Sequence, residues 1–314
     1  MSRTRIKDIL SAMRPHQWIK NLFIFPALIF SRHLFDPAYF LKSMAAFWLF
    51  CIVAGGIYMF NDLMDLEEDK FHPRKKQRPI ASGRISPALA KGLFAVFSVS
   101  GIAAAFTLDL NFGIVVSFYF VMNMGYSLGL KRVVIIDVLI VSMGFVLRAA
   151  AGGLVIDVEV SPWLLVCTTL LALFLVLAKR RHELILLDER ANMLVELSIA
   201  TEDTEKATKY RKSLDEYNPY FLDQMIGITT ASTLMGYILY TLSEDAIKKF
   251  GGTDLIYTVP FVIYGIFRYL YLIHMKRQGG NPAMALLRDW PLMVDVALWG
   301  LSVVVVLYVN LHMS

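Results

Sequence analysis

The sequence contains few charged residues and few cysteines. Charged residues make up 18% of the 314-residue chain, whereas a soluble domain of this size carries about a quarter. The two cysteines, Cys51 and Cys167, belong to different apolar runs, which argues against a disulfide framework or a cysteine metal site, and we expect both to lie in the core. No short apolar leader with a small-residue cleavage site is visible, so we expect no cleavable signal peptide.

Apolar residues are abundant and come in long blocks. Hydrophobic residues make up 57% of the chain and the mean hydropathy is +0.55. Only helices and closed barrels satisfy their backbone in lipid, so blocks of about 20 apolar residues predict an all-α, polytopic membrane protein formed by a single domain over residues 1–314. We predict nine transmembrane helices, at residues 17–31, 39–60, 88–108, 111–129, 133–155, 163–180, 224–242, 256–274 and 291–310.

The distribution of positive charge predicts the orientation of these helices. The N-terminus and every second loop hold nearly all of the lysines and arginines outside the spans, while the opposite loops hold Arg32, Lys42, Lys248 and Lys249. By the positive-inside rule, we expect a plasma (inner) membrane protein with its N-terminus and active site cytoplasmic and its C-terminus outside. The net charge of +5 then reflects topology and anionic lipid, and we expect no nucleic-acid partner.

Three polar segments flank the predicted spans. Residues 4–13 place Ile6, Ile9, Leu10 and Met13 on one helical face, which predicts a helix lying on the membrane surface, with a disordered leader as the alternative. Residues 61–87 and 181–219 are expected to be cytoplasmic loops over the active site. The second is long and rich in helix-forming residues, so we predict that it forms helices capping the membrane domain.

The stretch "NDLMDLEEDKFHPRKKQRPIASG" (61–83) puts acidic and basic residues side by side. On a helix, Asp62, Asp65 and Asp69 fall within about 60° of one another and Asn61 within about 100°, while Glu67 faces away. Oxygen ligands on one face suit Mg²⁺, which binds carboxylates together with substrate phosphates. The pattern therefore predicts a diphosphate held between a metal and cations, and the alternative is a solvated helix end that obeys the positive-inside rule.

The same stretch resembles the first aspartate-rich motif, NDxxDxxxD, of the UbiA superfamily of intramembrane prenyltransferases. Asn61, Asp62, Asp65 and Asp69 match it position by position. The resemblance implies a nine-helix bundle in which these four residues bind Mg²⁺ and the three aspartates are catalytic. The second aspartate-rich motif of the superfamily is absent, since "AKRRHEL" (178–184) and "YRKSLDEY" (210–217) offer no carboxylate ladder.

Several further stretches resemble one branch of this superfamily, which transfers 5-phosphoribose from phosphoribosyl diphosphate to a polyprenyl phosphate. They are "MRPHQWIKN" (13–21), "HPRKKQRPIASG" (72–83), residues 126–153, "KRRHEL" with "RKSLDEY", and the weaker "NPAMALLRDWPL" (281–292). The resemblance implies Mg²⁺-dependent transfer to a lipid of the decaprenyl-phosphate type, with release of diphosphate, for cell-envelope polysaccharide precursors. The alternatives are an aromatic polyprenyltransferase of quinone or haem biosynthesis and a non-enzymatic cation or phosphate transporter. The sequence does not determine the chain length of the lipid or the oligomeric state, and a homo-oligomer is one of the open alternatives.

A set of polar residues is expected to bind the substrates. Arg148 lies deep in the fifth predicted span, where a charged side chain is costly and usually functional. The alternative for Arg148 is a structural pair, with Asp137 as one candidate, although eleven residues separate the two on one helix. For Lys131, the positive-inside rule is as good an explanation as substrate binding. For Tyr126, a position at the membrane interface is as good an explanation as contact with the sugar. The expected binding residues are Asn61, Lys20, Lys75, Lys76, Arg78, Tyr126, Lys131, Arg148, Lys179, Arg180 and Glu183.

Overall fold

Helices make up all the regular structure of the part of the chain that is described. The computed structural model describes residues 3–71, 75–196, 217–276 and 282–309, which confirms the predicted all-α class. The first helices are α1 (Arg3–Ala12), a 3-10 helix (Pro15–Ile24), α2 (Phe25–Phe30), α3 (Pro37–Met64), α4 (Leu66–Phe71), α5 (Pro87–Leu108) and α6 (Leu110–Leu128). They are followed by α7 (Ile136–Val155), α8 (Pro162–Glu196), α9 (Pro219–Thr241), α10 (Glu244–Phe250), α11 (Val259–His274), α12 (Pro282–Arg288) and α13 (Trp290–Val309).

Polar residues between the apolar blocks set where the long helices begin. The side chains of Asp36, Ser86 and Asn218 each cap a helix that has proline in its first turn. These oxygens accept hydrogen bonds from backbone N–H groups that have no partner inside the helix, and proline suits the first turn because it has no N–H to satisfy. Asp109 ends α5 and also caps α6 through Phe112 N at 2.7 Å, so one residue makes the connection between two helices.

Six helices of the described chain are long and apolar enough to cross a membrane. They are Pro37–Met64, Pro87–Leu108, Ile136–Val155, Pro162–Leu186, Asp254–His274 and Trp290–Tyr308. A seventh results if α9 and α10, which meet at a 49° bend, form one broken span. The predicted first span is a 3-10 helix followed by the six-residue α2, rather than one continuous α-helix. The count of nine spans therefore stays a prediction.

The first of two compact units comprises Met1–Lys131 and Met143–Ser161. Its main core packs side chains from α3, α6 and α7 around Phe50, Phe112 and Ala151. Helix α1 joins a second core through Ile9, and Met13, the residue after the helix, joins the same core. The predicted apolar face of α1 is thus divided, because these two residues are buried within the unit while Ile6 and Leu10 are 49% and 44% exposed. Of the predicted apolar face, only Ile6 and Leu10 are exposed and could contact a membrane surface.

The second unit comprises Arg132–Ser142 and Pro162–Ser314 and has its own core. Phe174, Leu177, Leu222 and Tyr269 pack together there, from α8, α9 and α11. Helix α8 continues for 35 residues to Glu196, so residues 181–196 are helical as predicted and extend the preceding helix, while their capping role stays a prediction. Apolar and polar halves of α8 share strong helix-forming residues, which is why the helix does not end where its hydrophobicity does. Residues 197–216 lie outside the described chain, and the single domain predicted for residues 1–314 stays a prediction.

Helix α7 passes close to the backbone of the 3-10 helix at Gly152. A Cβ atom added there would lie 2.0 Å from the carbonyl oxygen of Ile24. Because that neighbour is backbone, it has little freedom to move aside. The absence of a side chain at Gly152 therefore lets α7 lie directly against the end of the 3-10 helix.

The substitution Gly152→Ala is expected to destabilise the protein by about 2 kcal/mol, the usual cost of overpacking a well-packed site. Thermal unfolding of the purified protein in detergent measures the effect. Gly92→Ala is the matched control, because an added Cβ there meets no atom within 4 Å and alanine is the better helix former. Equal melting temperatures for the two variants would contradict the close approach.

Candidate active site

The acidic stretch is not one continuous helix. Helix α3 ends at Met64, Asp65 caps it with φ −96° and ψ 12°, and α4 begins at Leu66. The helical spacing from which a single face of three aspartates was predicted is therefore interrupted at Asp65, and the common face stays a prediction. Asp62 and Asp69 are buried, at 2% and 0% exposure, and Asp65 is half-buried.

Asp62 and Asp69 are joined through arginine. Arg14 and Arg78 both donate to Oδ1 of Asp62, the second at 3.0 Å. Arg78 also donates to Oδ2 of Asp69 at 2.6 Å, and Lys75 Nζ lies 3.8 Å from Oδ1 of Asp69. Buried carboxylates are stable only when paired and hydrogen-bonded, so these basic residues allow the aspartates to be buried.

Asp65 has different partners from the other two aspartates. Its carboxylate accepts from Nδ2 of Asn61 at 3.2 Å and from Lys131. Asn61 in turn accepts from the Ser127 hydroxyl at 3.3 Å. Asn61 and Lys131, both expected at the site from the sequence, are thus brought together around Asp65 at the end of α3.

The oxygen atoms of the acidic motif can be compared with the ligands that a magnesium ion requires. Among the described residues, no group of three or more His, Cys, Asp or Glu side chains is arranged to hold a metal. Within the described residues, however, Oδ1 of Asp69 is buried and accepts no hydrogen bond, with Lys75 Nζ 3.8 Å away, and carboxylate oxygens are the ligands that Mg²⁺ prefers. Asp62 and Asp69 are the two buried carboxylates of the motif, and metal binding by Asn61, Asp62, Asp65 and Asp69 stays a prediction.

Arg14 is a site residue that the sequence analysis missed. It lies in "MRPHQWIKN", where only Lys20 was expected to bind substrate. Its backbone has φ 53°, in a left-handed region where residues with a Cβ are uncommon, and its guanidinium lies 5.0 Å from the ring centroid of Tyr58. The need of the buried Asp62 for a partner is the observation that identifies it.

His16 lies beside these cations. The His16 side chain is exposed at one edge, and the partial burial of its imidazole, together with the positive charges of Arg14, Lys20 and Arg78, lowers its pKa. A histidine with a lowered pKa stays neutral near pH 7, which is expected where a field is already positive. The lowered pKa thus reflects first the partial loss of solvent around the imidazole and then the three neighbouring cations.

Arg148 is buried, at 4% exposure, among neutral groups. Its guanidinium donates to Asn21 Oδ1 at 2.6 Å, Gly144 O at 2.6 Å and the Tyr119 hydroxyl at 2.8 Å. No carboxylate pairs with it within the described residues, so the alternative of a pair with Asp137 is wrong. Three of its N–H groups are thus used by the protein, and phosphate binding by Arg148 stays a prediction.

The second unit contains a cluster of three residues that the sequence predicts to bind substrate. Arg180 donates to Asp137 and, at 3.2 Å, to Glu183, whose carboxylate lies 3.4 Å from Lys179 Nζ. The Tyr217 hydroxyl donates to Asp137 at 2.9 Å, and burial raises the Tyr217 pKa to about 12. Lys179, Arg180 and Glu183 are brought together as expected, and Asp137 and Tyr217 are additional members.

The remaining sequence predictions concern single positions. Glu67 is exposed and pairs with Lys70 at 2.7 Å, which confirms that it lies apart from the site. Lys20 and Tyr126 are half-buried and Lys76 is exposed. Residues 72–74 of the basic stretch lie outside the described chain. Of the residues left unassigned, Arg268 forms two hydrogen bonds with Asp289, at 3.0 and 2.9 Å, and Asp295 is buried.

Comparison with known proteins gives a consistent set of similarities. Residues 22–184 match the model of the UbiA prenyltransferase family. The decaprenyl-phosphate phosphoribosyltransferase of Corynebacterium glutamicum is 32% identical, over 96% of this chain and 87% of the relative. The enzyme of the same name from Mycolicibacterium smegmatis is 30% identical, over 94% and 90% of the two chains.

The fold is shared with solved structures of low sequence similarity. A UbiA homologue from Archaeoglobus fulgidus bound to GPP and Mg²⁺ superposes with a TM-score of 0.68 and 17% identity. The match covers 96% of this chain and 99% of that homologue. At this identity the comparison supports a common fold.

The substitution Tyr119→Phe removes one acceptor from the buried Arg148 cation while keeping the aromatic ring beside it. We expect a loss of roughly 1–3 kcal/mol in stability, the cost of leaving a buried donor without its partner. Thermal unfolding in detergent measures it. Tyr126→Phe, on the same helix, is the control and should change little, and equal losses in both variants would contradict the assignment.

The lowered His16 pKa predicts a pH dependence of stability. The unfolded histidine takes up a proton near its ordinary pKa of 6.5, whereas folded His16 resists protonation, so stability should fall as the pH drops through 6.5 and level off below the folded pKa. His16→Gln should flatten this dependence in melting curves from pH 7.5 to 5. His33→Gln is the matched control, and an unchanged slope for His16→Gln would argue against the lowered pKa.

Proposed function

The chain belongs to the UbiA prenyltransferase family, and from this we propose that it is a Mg²⁺-dependent phosphoribosyltransferase. It transfers 5-phosphoribose from phosphoribosyl diphosphate to a polyprenyl phosphate of the decaprenyl-phosphate type and releases diphosphate. The product would serve cell-envelope polysaccharide synthesis. The observation that carries the proposal is the group of basic residues bound to the motif's carboxylates at the end of α3.

The balance of charge supports a substrate with several phosphate groups. The carboxylates of Asp62, Asp65 and Asp69 are met by four basic side chains, Arg14, Lys75, Arg78 and Lys131. The acids hold the cations in place, and the excess of positive charge remains for an anion. Phosphoribosyl diphosphate carries a diphosphate and a 5-phosphate, which suits such a cluster.

A magnesium ion would be held by the buried pair Asp62 and Asp69, with Asn61 and Asp65 as further ligands. When bound, it would neutralise the negative charge that the leaving diphosphate acquires. The burial of Asp69 Oδ1 without a hydrogen bond from the described residues and the hard oxygen donors support this placement. The structures of family members bound to Mg²⁺ are consistent with it.

The protein's own residues hold and orient the reacting groups. Arg14, Arg78 and Lys75 are the proposed ligands of the donor phosphates, where fixed N–H donors stabilise developing negative charge. The bond from C1 of the ribose to the diphosphate oxygen breaks with its electron pair leaving on diphosphate. An oxygen of the lipid phosphate forms the new bond to C1 from the opposite face, through a state with oxocarbenium-ion character.

The acceptor is a lipid with its own phosphate, which requires further cations. Lys179 and Arg180, with Glu183 orienting them, are the proposed ligands of that phosphate, and Lys20, Lys76, Tyr126, Lys131 and Arg148 are further proposed binding residues. The lack of a second aspartate-rich motif in the sequence favours a cation-held acceptor over a second metal-bound diphosphate. The curated relatives named decaprenyl-phosphate phosphoribosyltransferase support the same choice.

The chain is a multi-pass membrane protein of this family. We propose that it lies in the plasma membrane with its N-terminus and active site on the cytoplasmic side. Phosphoribosyl diphosphate is water-soluble, so a cytoplasmic site gives it direct access. The charge asymmetry of the loops supports this orientation.

The proposed activity is tested with membranes that contain the overexpressed chain, labelled phosphoribosyl diphosphate and polyprenyl phosphate, with and without Mg²⁺. Label should move to the lipid only with Mg²⁺, and Asp65→Asn should abolish the transfer. Glu67→Gln is the matched control, because Glu67 lies in the same acidic stretch but pairs only with Lys70 among the described contacts. It should retain activity. Prenylation of an aromatic acid without phosphoribosyl transfer, or full activity of Asp65→Asn, would overturn the proposal.

A further inference from the structure

We infer that Tyr217 is a positioning residue for the acceptor lipid. Its hydroxyl occupies one oxygen of Asp137, and this keeps the guanidinium of Arg180 open to the lipid phosphate. This role rests on the proposed function, in which Arg180 is a ligand of that phosphate, and it extends the proposal to a residue that the mechanism above does not use. All three residues belong to the second unit.

The hydrogen bonds of the Tyr217 hydroxyl have a fixed direction. Its oxygen accepts from the backbone N–H of Ile135 at 2.7 Å, so its own hydrogen is left for Oδ1 of Asp137, 2.9 Å away. Burial raises the Tyr217 pKa to about 12, so the phenol keeps this hydrogen near neutral pH. Arg180 donates to the other oxygen of Asp137, Oδ2.

The backbone at Ile135 holds the phenol in place. Ile135 has φ 69°, which is an outlier for a β-branched residue. Such strained conformations persist only where the surrounding structure determines them, and they concentrate at functional sites. Ile135 directly precedes α7, whose first turn contains Asp137. One hydroxyl is therefore bonded both to the strained residue and to the carboxylate two positions later.

Two other arginine–aspartate pairs of the second unit show what an arginine does when it can reach both carboxylate oxygens. Arg181 donates to both oxygens of Asp223, the second at 3.2 Å. Arg268 donates to both oxygens of Asp289, at 3.0 and 2.9 Å. The planar guanidinium matches a carboxylate in this two-point arrangement, which is the stronger one.

Arg180 differs from these two arginines because Tyr217 occupies Oδ1 of Asp137. Its guanidinium donates to Oδ2 and, at 3.2 Å, to Glu183. The Arg180 side chain keeps 16% exposure, and its neighbour Lys179 is exposed. Without the phenolic hydroxyl, Oδ1 would be a buried carboxylate oxygen that lacks this donor, and Arg180 would gain by turning onto both oxygens. It would then be withdrawn from a phosphate.

A purely structural role for Tyr217 is the competing interpretation, because the same hydrogen bonds attach the chain before α9 to the start of α7. In that case the hydroxyl would stabilise the second unit and would have no effect on the choice between lipids with and without a phosphate. A phosphate preference that depends on Arg180 distinguishes the two interpretations.

The experiment measures equilibrium binding of polyprenyl phosphate and of the corresponding polyprenol to the full-length protein in detergent. The ratio of the two dissociation constants gives the phosphate preference, and it does not require phosphoribosyl transfer. The variants are Tyr217→Phe, Arg180→Gln and the double variant. Tyr217→Phe keeps the ring, which stacks with Phe221 at a centroid distance of 6.3 Å. Tyr220→Phe is the matched control, because Tyr220 is 72% exposed.

We expect Tyr217→Phe to lower the phosphate preference about tenfold, the size of one hydrogen bond to a charged group, with polyprenol binding and the Tyr220→Phe control unchanged. In the Arg180→Gln background the same change should alter the preference less than twofold, since the hydroxyl acts through Arg180. In the transfer assay, the KM for the lipid should rise about tenfold while the KM for phosphoribosyl diphosphate stays the same. A structure of Tyr217→Phe should show Arg180 bound to both oxygens of Asp137.

The inference is overturned if Tyr217→Phe weakens the binding of both lipids equally, or if its effect persists in the Arg180→Gln background. Either result would leave the proposed function standing. A wild-type protein with no phosphate preference would overturn the inference together with the proposed acceptor. Loss of phosphoribosyl transfer with a retained, Tyr217-dependent phosphate preference would contradict the proposed reaction alone.

Discussion

The burial of Asp62 is the constraint on which the rest of the first unit's polar structure depends. A carboxylate that is 2% exposed at the end of an apolar helix is stable only with cationic partners. Arg14 and Arg78 supply them from opposite sides in sequence, and Arg78 carries the connection on to Asp69. The segment before the 3-10 helix and the basic loop after α4 are thereby fixed to the end of α3, and Arg14 takes up a left-handed backbone conformation to reach it.

The first unit stabilises its buried charges in two different ways. At the end of α3, acids and bases neutralise one another, and the surplus is basic. Around Arg148, by contrast, the partners are an amide, a peptide carbonyl and a phenol, so the positive charge is solvated without being cancelled. The first arrangement can release cations to an incoming anion, while the second fixes α7 to Asn21 and Tyr119. The two environments suggest different roles for residues that look alike in sequence.

Hydrophobicity was sufficient to predict an all-helical membrane protein, because long apolar blocks admit few other structures. It was insufficient at three places. Helix α3 ends before Asp65 although good helix formers follow it, and α8 continues past its apolar half, and hydrophobicity predicts neither boundary. Arg14 was missed because its role depends on a partner 48 residues away. Spacing correctly grouped Lys179, Arg180 and Glu183, since contacts three and four residues apart on one helix are local.

The central claim is that the cation–carboxylate cluster at the end of α3 binds a metal-bound phosphorylated donor. Equilibrium binding of labelled phosphoribosyl diphosphate to the purified protein, without acceptor lipid, tests it most directly. We expect saturable binding that requires Mg²⁺, is abolished by Asp62→Asn, and resists competition by geranyl diphosphate. Binding that is independent of Mg²⁺ and of Asp62, or a preference for geranyl diphosphate, would contradict it.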